Sequence, residues 1–395
     1  MKKTIDDLNL KGKKVLIRVD FNVPLKNGVI TSNKRIVDVL PTIQKVINEH
    51  GKVILLSHLG RVKEEADLAK NDLFPVSIEL ARLLKRPVKF VDATRGKELE
   101  TAIEEMKEQD VILMQNTRYE DLNDKSESKN NPALGQYWAG LGDVFINDAF
   151  GTAHRAHASN VGIASNIAES AIGYLMQKEV ESLTKAIDNP AHPYVAIIGG
   201  AKVSDKIKVL ENLITLVDKM LIGGAMAYTF KKAKGYEVGT SLVEDDYLAF
   251  ASEFLDKYGN KVLLPVDNAC ATEFADVEPT YSGLDIPKDM MGLDIGPKTI
   301  RNFSNALLGA KTVVWNGPMG VAEFENYSAG TLAIAKAIAN LGPDTYSIVG
   351  GGDSVAAVEK LGMESKFSHV STGGGASLEL LQGLELPGVV AIQEK

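Results

Sequence analysis

The chain has 395 residues, 45% of them hydrophobic and 24% charged, with a formal net charge of −8. That length exceeds one ordinary core and predicts about two domains, while the acidic balance argues against a general binder of nucleic acid or membrane surfaces. The single cysteine, Cys270, excludes an intrachain disulfide; with no His or second Cys beside it in "VDNACATEF", it reads as a buried or bystander thiol.

The opening residues "MKKTIDDLNLKGKK" lack an apolar stretch of signal-peptide length. No segment approaches the ~18–20 apolar residues of a membrane span, so a cytoplasmic protein is expected. "KVLIRVD" (14–20), "KVILLSH" (52–58), "PVKFVD" (87–92), "DVILMQN" (110–116) and "DVFINDA" (143–149) read as strands. Each is nearly continuously apolar, as strands covered on both faces are. Between them "PVSIELARLLK" and "GKELETAIEEMKEQ" carry helical periodicity, giving the βαβ rhythm of a parallel sheet. The amphipathic stretch 171–190 reads as one long helix ended at Asn189-Pro190, since proline disfavours helix at the residue before it. The rhythm restarts with strands predicted at 194–200, 219–225, 261–267, 312–318, 346–352 and 367–375. Two doubly wound, Rossmann-like α/β domains joined by the 171–190 helix are therefore predicted.

Open α/β sheets bind ligands beyond the carboxyl ends of their strands, so the strand ends are where chemistry is sought. In the first half "RVDFNVP" places Arg18, Asp20 and Asn22 on one face by alternation. Taken alone, Asp20 and Asn22 also suit a turn before Pro24. Other strand ends add His58 and Arg61 from "SHLGR", Arg118 from "NTRYE" and Arg155 from "NDAFGTAHRAH", and Arg35 opens the first helix. Guanidinium forks match phosphate and carboxylate geometry, so a small anion is the expected guest. His154 and His157 lack the further ligands a zinc site would need.

In the second half, "AIIGGAKVSDKI" lets Gly199 and Gly200 turn sharply into a predicted helix. Lys202 and Lys206, four apart, would share a face of its first turns. The P-loop pattern is absent, yet a helix start with lysines attracts phosphate. "VWNGPMGVAEF" offers Asn316, the Gly317-Pro318 turn and Glu323, a carboxylate able to accept from ribose hydroxyls. In "VGGGDS", Asp353 and Ser354 could cap a helix, and Asp353 could equally hold Mg²⁺, which prefers one or two carboxylates plus phosphate oxygens. "STGGGASLE" repeats the three-glycine device at Gly373, Gly374 and Gly375.

These segments together, in order and along essentially the whole chain, resemble the phosphoglycerate kinase family, bacterial type. The resemblance implies a glycolytic kinase that reversibly transfers a phosphoryl group between MgATP and 3-phosphoglycerate, giving 1,3-bisphosphoglycerate and MgADP. It implies a 3-phosphoglycerate domain over 1–170 plus a returning tail from about 380 to 395, an interdomain helix over 171–190, and a nucleotide domain over 191–379. The acid would lie on Asp20, Phe21, Asn22, Arg35, His58, Leu59, Gly60, Arg61, Arg118 and Arg155. The nucleotide would lie on Gly200, Ala201, Lys202, Lys206, Gly223, Gly224, Gly292, Asn316, Pro318, Glu323 and the loop Gly350, Gly351, Gly352, Asp353, Ser354. Arg35, Lys202 and the glycines 373–375 would serve the transferring group, and Asp353 the Mg²⁺. A hinge-bending monomer with no nucleic-acid or membrane partner is expected. Val62, Gln115, Ala225 and Ala322 depart from the family's usual residues, the last two near the expected adenosine pocket. Two other readings compete. A nicotinamide dehydrogenase would want G-x-G-x-x-G after its first strand, which "RVDFNVPLKNG" does not offer. A non-catalytic hinged anion-binding protein would have no need of the second, nucleotide-like site.

Overall fold

The computed structural model describes residues Met1–Lys395. It divides into one unit of Met1–Val180 with Glu385–Lys395, and a second of Glu181–Leu384. The first unit contains β1 (Lys14–Arg18), a hairpin of β2 (Leu25–Lys26) and β3 (Val29–Ile30), then β4 (Lys52–Leu56), β5 (Lys89–Val91), β6 (Val111–Met114), β7 (Val144–Asn147) and β8 (Glu169–Ile172). All but the hairpin form one parallel sheet in the order β5-β6-β4-β1-β7-β8. The continuous apolar runs find their reason here, because Leu16, Ile17, Ile54, Leu55, Phe145 and Ile146 are all wholly buried. Helices α1 (Lys34–Asn48), α2 (Ala66–Lys70), α3 (Phe74–Leu84), α4 (Lys97–Glu104) and α5 (Pro132–Ala139) connect the strands. On α1, Ile36, Val39, Ile43, Val46 and Ile47 recur at helical spacing and are buried.

The predicted helix over 171–190 is shorter. Ala171 and Ile172 belong to β8, paired with Ile146 and Asn147 of β7, and the helix α6 covers Tyr174–Lys185. The break has a local cause. Gly173 N–H donates to Asn147 O at 3.0 Å, and Asp148 Oδ1 accepts from Met176 N–H at 2.9 Å. A side chain on Gly173 would lie 2.3 Å from the Asp148 carboxyl carbon, so the turn requires glycine there.

The second unit carries β9 (Tyr194–Ile198), β10 (Lys219–Ile222), β11 (Val262–Leu263), β12 (Asn268–Ala271), β13 (Thr280–Ser282), β14 (Met291–Ile295), β15 (Thr312–Asn316), β16 (Tyr346–Gly350) and β17 (His369–Val370). Six of these make a parallel sheet in the order β11-β10-β9-β15-β16-β17. The order reverses between β9 and β15, which leaves a crevice at their carboxyl ends. A separate antiparallel sheet, β13-β12-β14, had no counterpart among the predicted strands. Its helices are α7 (Ile207–Leu216), α8 (Met226–Ala233), α9 (Leu248–Tyr258), α10 (Pro297–Leu307), α11 (Ala329–Ala339), α12 (Gly352–Lys360) and α13 (Gly375–Leu381).

The tail returns to the first unit through α14 (Pro387–Val390). Gly388 N–H donates to Ala153 O at 2.8 Å, and Lys3 N–H donates to Gln393 O at 2.8 Å. No helix is long and apolar enough to cross a membrane.

Candidate active site

The first unit gathers its polar groups at the carboxyl ends of β1, β4, β6 and β7. Arg18 is 1% exposed and donates through Nε to Ser159 Oγ at 2.7 Å, with Nη2 3.2 Å from His58 Nδ1. A guanidinium has no acceptor, so His58 Nδ1 accepts and the ring proton sits on Nε2. Burial, joined by Arg18, Arg118 and Arg35 and opposed by Asp20, pulls the His58 imidazole down to about 3. The expected basic group at position 58 is therefore a neutral hydrogen-bonding ring. Asp20 pairs with Arg35 Nη1 and accepts from Asn22 N–H at 3.1 Å, while Asn22 Oδ1 accepts from Gly60 N–H at 2.8 Å. Phe21 N–H donates to Ser57 Oγ at 2.8 Å, and Asn116 fixes Leu59 by accepting from its N–H at 3.1 Å and donating to its carbonyl at 2.7 Å.

Arg118 is held by Ser128 Oγ at 3.2 Å and Asp121 at 3.5 Å. Arg61 and Arg155 stand exposed, and no side chain pairs with their guanidinium groups. The result is one carboxylate tied to Arg35, one neutral imidazole, and guanidinium groups whose forks match the oxygens of a small polyanion.

The second unit brings its glycine turns together at the crevice between β9 and β15. Gly199 N–H donates to Asn316 O at 2.9 Å and Gly200 N–H to Pro318 O at 3.1 Å. A Cβ on Gly199 would lie 2.0 Å from Pro318 O, so the two loops cross only because that position carries no side chain. Beside them a cavity of about 520 Å³ is bounded by Gly200, Ala201, Gly224, Gly292, Pro318, Glu323 and Asp353. Its remaining wall is mostly apolar, supplied by Leu242, Phe274, Met291, Leu293 and Val321, with Tyr228 behind Gly292. A Cβ on Gly292 would lie 2.2 Å from Tyr228 Oη, which explains the glycine. An apolar slot with a carboxylate at its edge suits a flat base and its ribose.

The helix model for the two lysines is corrected. The helix α7 begins at Ile207, so Lys206 occupies its N-cap and Lys202 lies in the loop before it. Ser204 is the cause: its N–H and Oγ both donate to Glu244, at 3.0 and 2.6 Å, drawing the backbone out of helical register. Lys206 Nζ donates to Asn316 Oδ1.

A family model described as phosphoglycerate kinase matches residues 5–384. The chain belongs to the phosphoglycerate kinase family. Phosphoglycerate kinases of Lacticaseibacillus casei and Enterococcus faecalis are 60% and 59% identical to it, over 99% and 100% of both chains respectively. The solved phosphoglycerate kinase of Coxiella burnetii superposes with a TM-score of 0.89 at 41% identity, covering 99% of this chain and 98% of that one. That of Pyrococcus horikoshii gives 0.84 at 32% identity, with the same coverage. The dehydrogenase and binding-protein readings fall with this result.

Within this kinase fold the expected residues divide into groups. Seven of those assigned to nucleotide line the cavity, whereas Gly223, Asn316 and Ser354 build its frame. Ser354 is wholly buried and its Oγ accepts from Gly317 N–H at 2.9 Å. A Cβ on Gly223 would lie 2.5 Å from Met319 Sδ. Gly350, Gly351 and Gly352 lead from β16 into α12, and Gly351, at φ +87, needs the left-handed freedom of glycine. Gly373 to Gly375 lead into α13, a helix of 7 residues. Of the departures, Ala225 borders the main cavity and Ala322 a smaller one that shares Glu323 and Asp353 with it. Sequence reasoning missed Tyr228, Thr240, Leu242, Phe274, Met291, Leu293 and Val321. It also missed Asp294, buried behind Gly320, whose Oδ2 accepts from Gly330 N–H at 2.7 Å and whose carboxyl is pushed up to about 7 by burial.

Proposed function

We propose that the chain transfers the γ-phosphoryl of MgATP to the carboxylate of 3-phosphoglycerate, and the reverse, with the acid on the first unit and the nucleotide on the second. The observation that carries the assignment is the division of labour between the sites. One is a cluster of guanidinium groups, the other a largely apolar slot edged by Gly200, next to Lys206, whose Nζ meets Asn316 Oδ1.

A carboxylate nucleophile is already ionised at neutral pH, so the reaction calls for no general base. Positioning and charge stabilisation then dominate. Arg61, Arg118 and Arg155 hold the 3-phosphate, while Asp20, Asn22 and neutral His58 orient the acid through hydrogen bonds. Arg35 and Lys202 meet the equatorial oxygens of the transferring group, with the amides of Gly373–Gly375 beside them. Gly200, Ala201, Gly224, Gly292 and Pro318 bound the base, Glu323 accepts from the ribose, and Lys206 holds phosphate oxygens. No group of three or more His, Cys, Asp or Glu could cage a metal ion. The single exposed carboxylate of Asp353, at the first turn of α12, instead suits a Mg²⁺ that arrives on the nucleotide's phosphates. Because donor and acceptor bind different units, in-line transfer requires the units to close, with α6 and the 373–375 glycines as hinges. The reading extends to a cytoplasmic monomer whose partners are these small molecules and neither nucleic acid nor membrane, in keeping with a net charge of −8.

The test is ADP release from MgATP with and without 3-phosphoglycerate. Release is expected to depend on the acid; release that ignores it removes the assignment.

Lys206 supplies a pH prediction. Burial pulls its amine down to about 8, with Asp205 opposing. In the free enzyme this lysine loses its charge as pH rises past about 8, whereas bound phosphate favours the charged form. Affinity for MgADP should therefore be full below pH 8 and fall above it, by up to about tenfold per pH unit. Binding should take up a proton there, read by calorimetry in buffers of different ionisation heat. A flat affinity between pH 7 and about 9.5 would place the phosphates elsewhere.

A further inference from the structure

Just past their carboxyl ends, β4 and β6 are still joined through the backbone, Thr117 N–H donating to Ser57 O at 3.0 Å. Beyond that bond both segments leave the sheet. One carries His58 and Arg61, the other Arg118 in the turn Thr117–Asp121. Asn116 sits between them, wholly buried, and its side-chain amide joins three pieces of chain. Its Oδ1 accepts from Leu59 N–H at 3.1 Å and from Arg118 N–H at 3.0 Å. Its Nδ2 donates to Leu59 O at 2.7 Å and to Asn71 O, just past α2, at 2.8 Å. An amide has two acceptor sites and two donors, and all four are used. The partners also fix which end is oxygen, since backbone N–H groups only donate and carbonyls only accept.

Asn71 extends the arrangement. Its own Nδ2 donates to Arg61 O at 3.2 Å and to Asp67 O at 2.9 Å, and its Oδ1 fills the space a Cβ on Gly60 would need, 2.0 Å away. The bond from Arg118 N–H to Asn116 is an ordinary N-cap, which Asp or Ser would supply as well. The two bonds from Asn116 Nδ2 have no part in capping. They tie the segment of Arg61 to the segment of Arg118, and among capping residues only asparagine brings two donors beside its acceptor.

We propose that Asn116 is a positioning residue for the acid: through Leu59, Asn71 and Arg118 it fixes the spacing of the two segments that carry Arg61 and Arg118, so that both guanidinium groups meet one phosphate. The role rests on the assignment of those arginines to the 3-phosphate. Like charges repel, so two cationic segments without a tie would drift apart. A spacing set in advance removes ordering that binding would otherwise require.

Asn116→Asp tests this, because it keeps size and cap but sets an oxygen against Leu59 O and Asn71 O in place of two donors. Steady-state kinetics should show KM for 3-phosphoglycerate raised at least about tenfold, the scale of leaving buried carbonyls without their donors. Grip on a phosphate remote from the reacting carboxylate is the same in ground and transition states, so kcat and KM for MgATP should stay within about threefold of the parent. Combined with Arg61→Ala, the substitution should raise KM at least about threefold less than it does alone, whereas independent effects multiply. Asn71→Ala, at a half-buried position, is expected to raise the same KM about threefold through the lost bond to Arg61 O, and it decides the matter if Asn116→Asp folds poorly. A lowered Tm with unchanged KM for 3-phosphoglycerate, or an effect that multiplies in full with Arg61→Ala, overturns the proposal. Arg61→Ala and Arg118→Ala separate it from the assignment beneath it. If neither raises KM for 3-phosphoglycerate, the phosphate assignment fails and the positioning role with it; if both do and Asn116→Asp does not, the positioning role alone fails.

Discussion

Lys202→Ala will lower kcat by at least about 100-fold, the scale of losing one contact to charge that develops in the transition state. Lys202 is exposed in the loop that precedes α7, and no hydrogen bond or ion pair ties its ammonium to the protein. Glu244 lies within its electrostatic reach, but no direct pair holds the ammonium away from a transferring group. The KM for MgATP should change far less than kcat, because Lys206 and the cavity walls hold the ground state. Thermal unfolding should match the parent, since truncating an exposed lysine creates no cavity. Steady-state kinetics with both substrates decides the matter. Turnover close to the parent's would strip Lys202 of its role, and a loss confined to KM would make it an anchor for nucleotide.

Gly199→Ala is expected to damage both stability and nucleotide binding. The added methyl would lie 2.0 Å from Pro318 O, 2.8 Å from Gly317 O and 2.7 Å from Met319 Cε. Two of these are backbone atoms, Pro318 O held by Gly200 N–H and Gly317 O by the Trp315 indole N–H, so relief requires separating the ends of β9 and β15. Overpacking of this kind costs about 1–3 kcal/mol or more, which in a unit of this size lowers Tm by roughly 2–4 °C per kcal/mol. The crevice proposed to seat the nucleotide opens with it, and MgADP affinity should fall at least about tenfold, while 3-phosphoglycerate binding, assigned to the other unit, should stay as in the parent. Gly283→Ala is the matched control, as a methyl there meets no atom within 4 Å. Calorimetric unfolding and MgADP titration test both. A Gly199→Ala protein with parental Tm and affinity would show that the crossing of the loops does not shape the site.

The parallel sheets were legible because buried strands need continuous apolar runs, and each of the eleven runs read from the sequence overlaps a strand. The antiparallel sheet β13-β12-β14 was not. Its strands include "NACA" and "TYS", short and mixed in polarity, and they are strands only through pairing with one another. The helical reading of Lys202 and Lys206 failed for a similar reason. Nothing local announces that Glu244, 40 residues away, captures Ser204 and delays the helix.

The site shows the same split. The glycines and charged groups at strand ends carry their meaning locally, since a tight turn needs glycine and an anion needs cations wherever the chain goes. The sequence alone thus determined the sheet type, the two anion-ready edges and the family to which they point. Tertiary structure decided the states of those groups. It made His58 neutral by burying it, with Arg18 set against its Nδ1, and it assembled the apolar walls of the slot proposed for the nucleotide from Leu242, Phe274 and Met291 on separate segments. It also buried Lys231, one of two adjacent lysines in "TFKKAKG", while leaving Lys232 exposed. Protonation, desolvation and cavity shape depend on what packs around a residue, and that is a property of the folded chain rather than of neighbours in sequence.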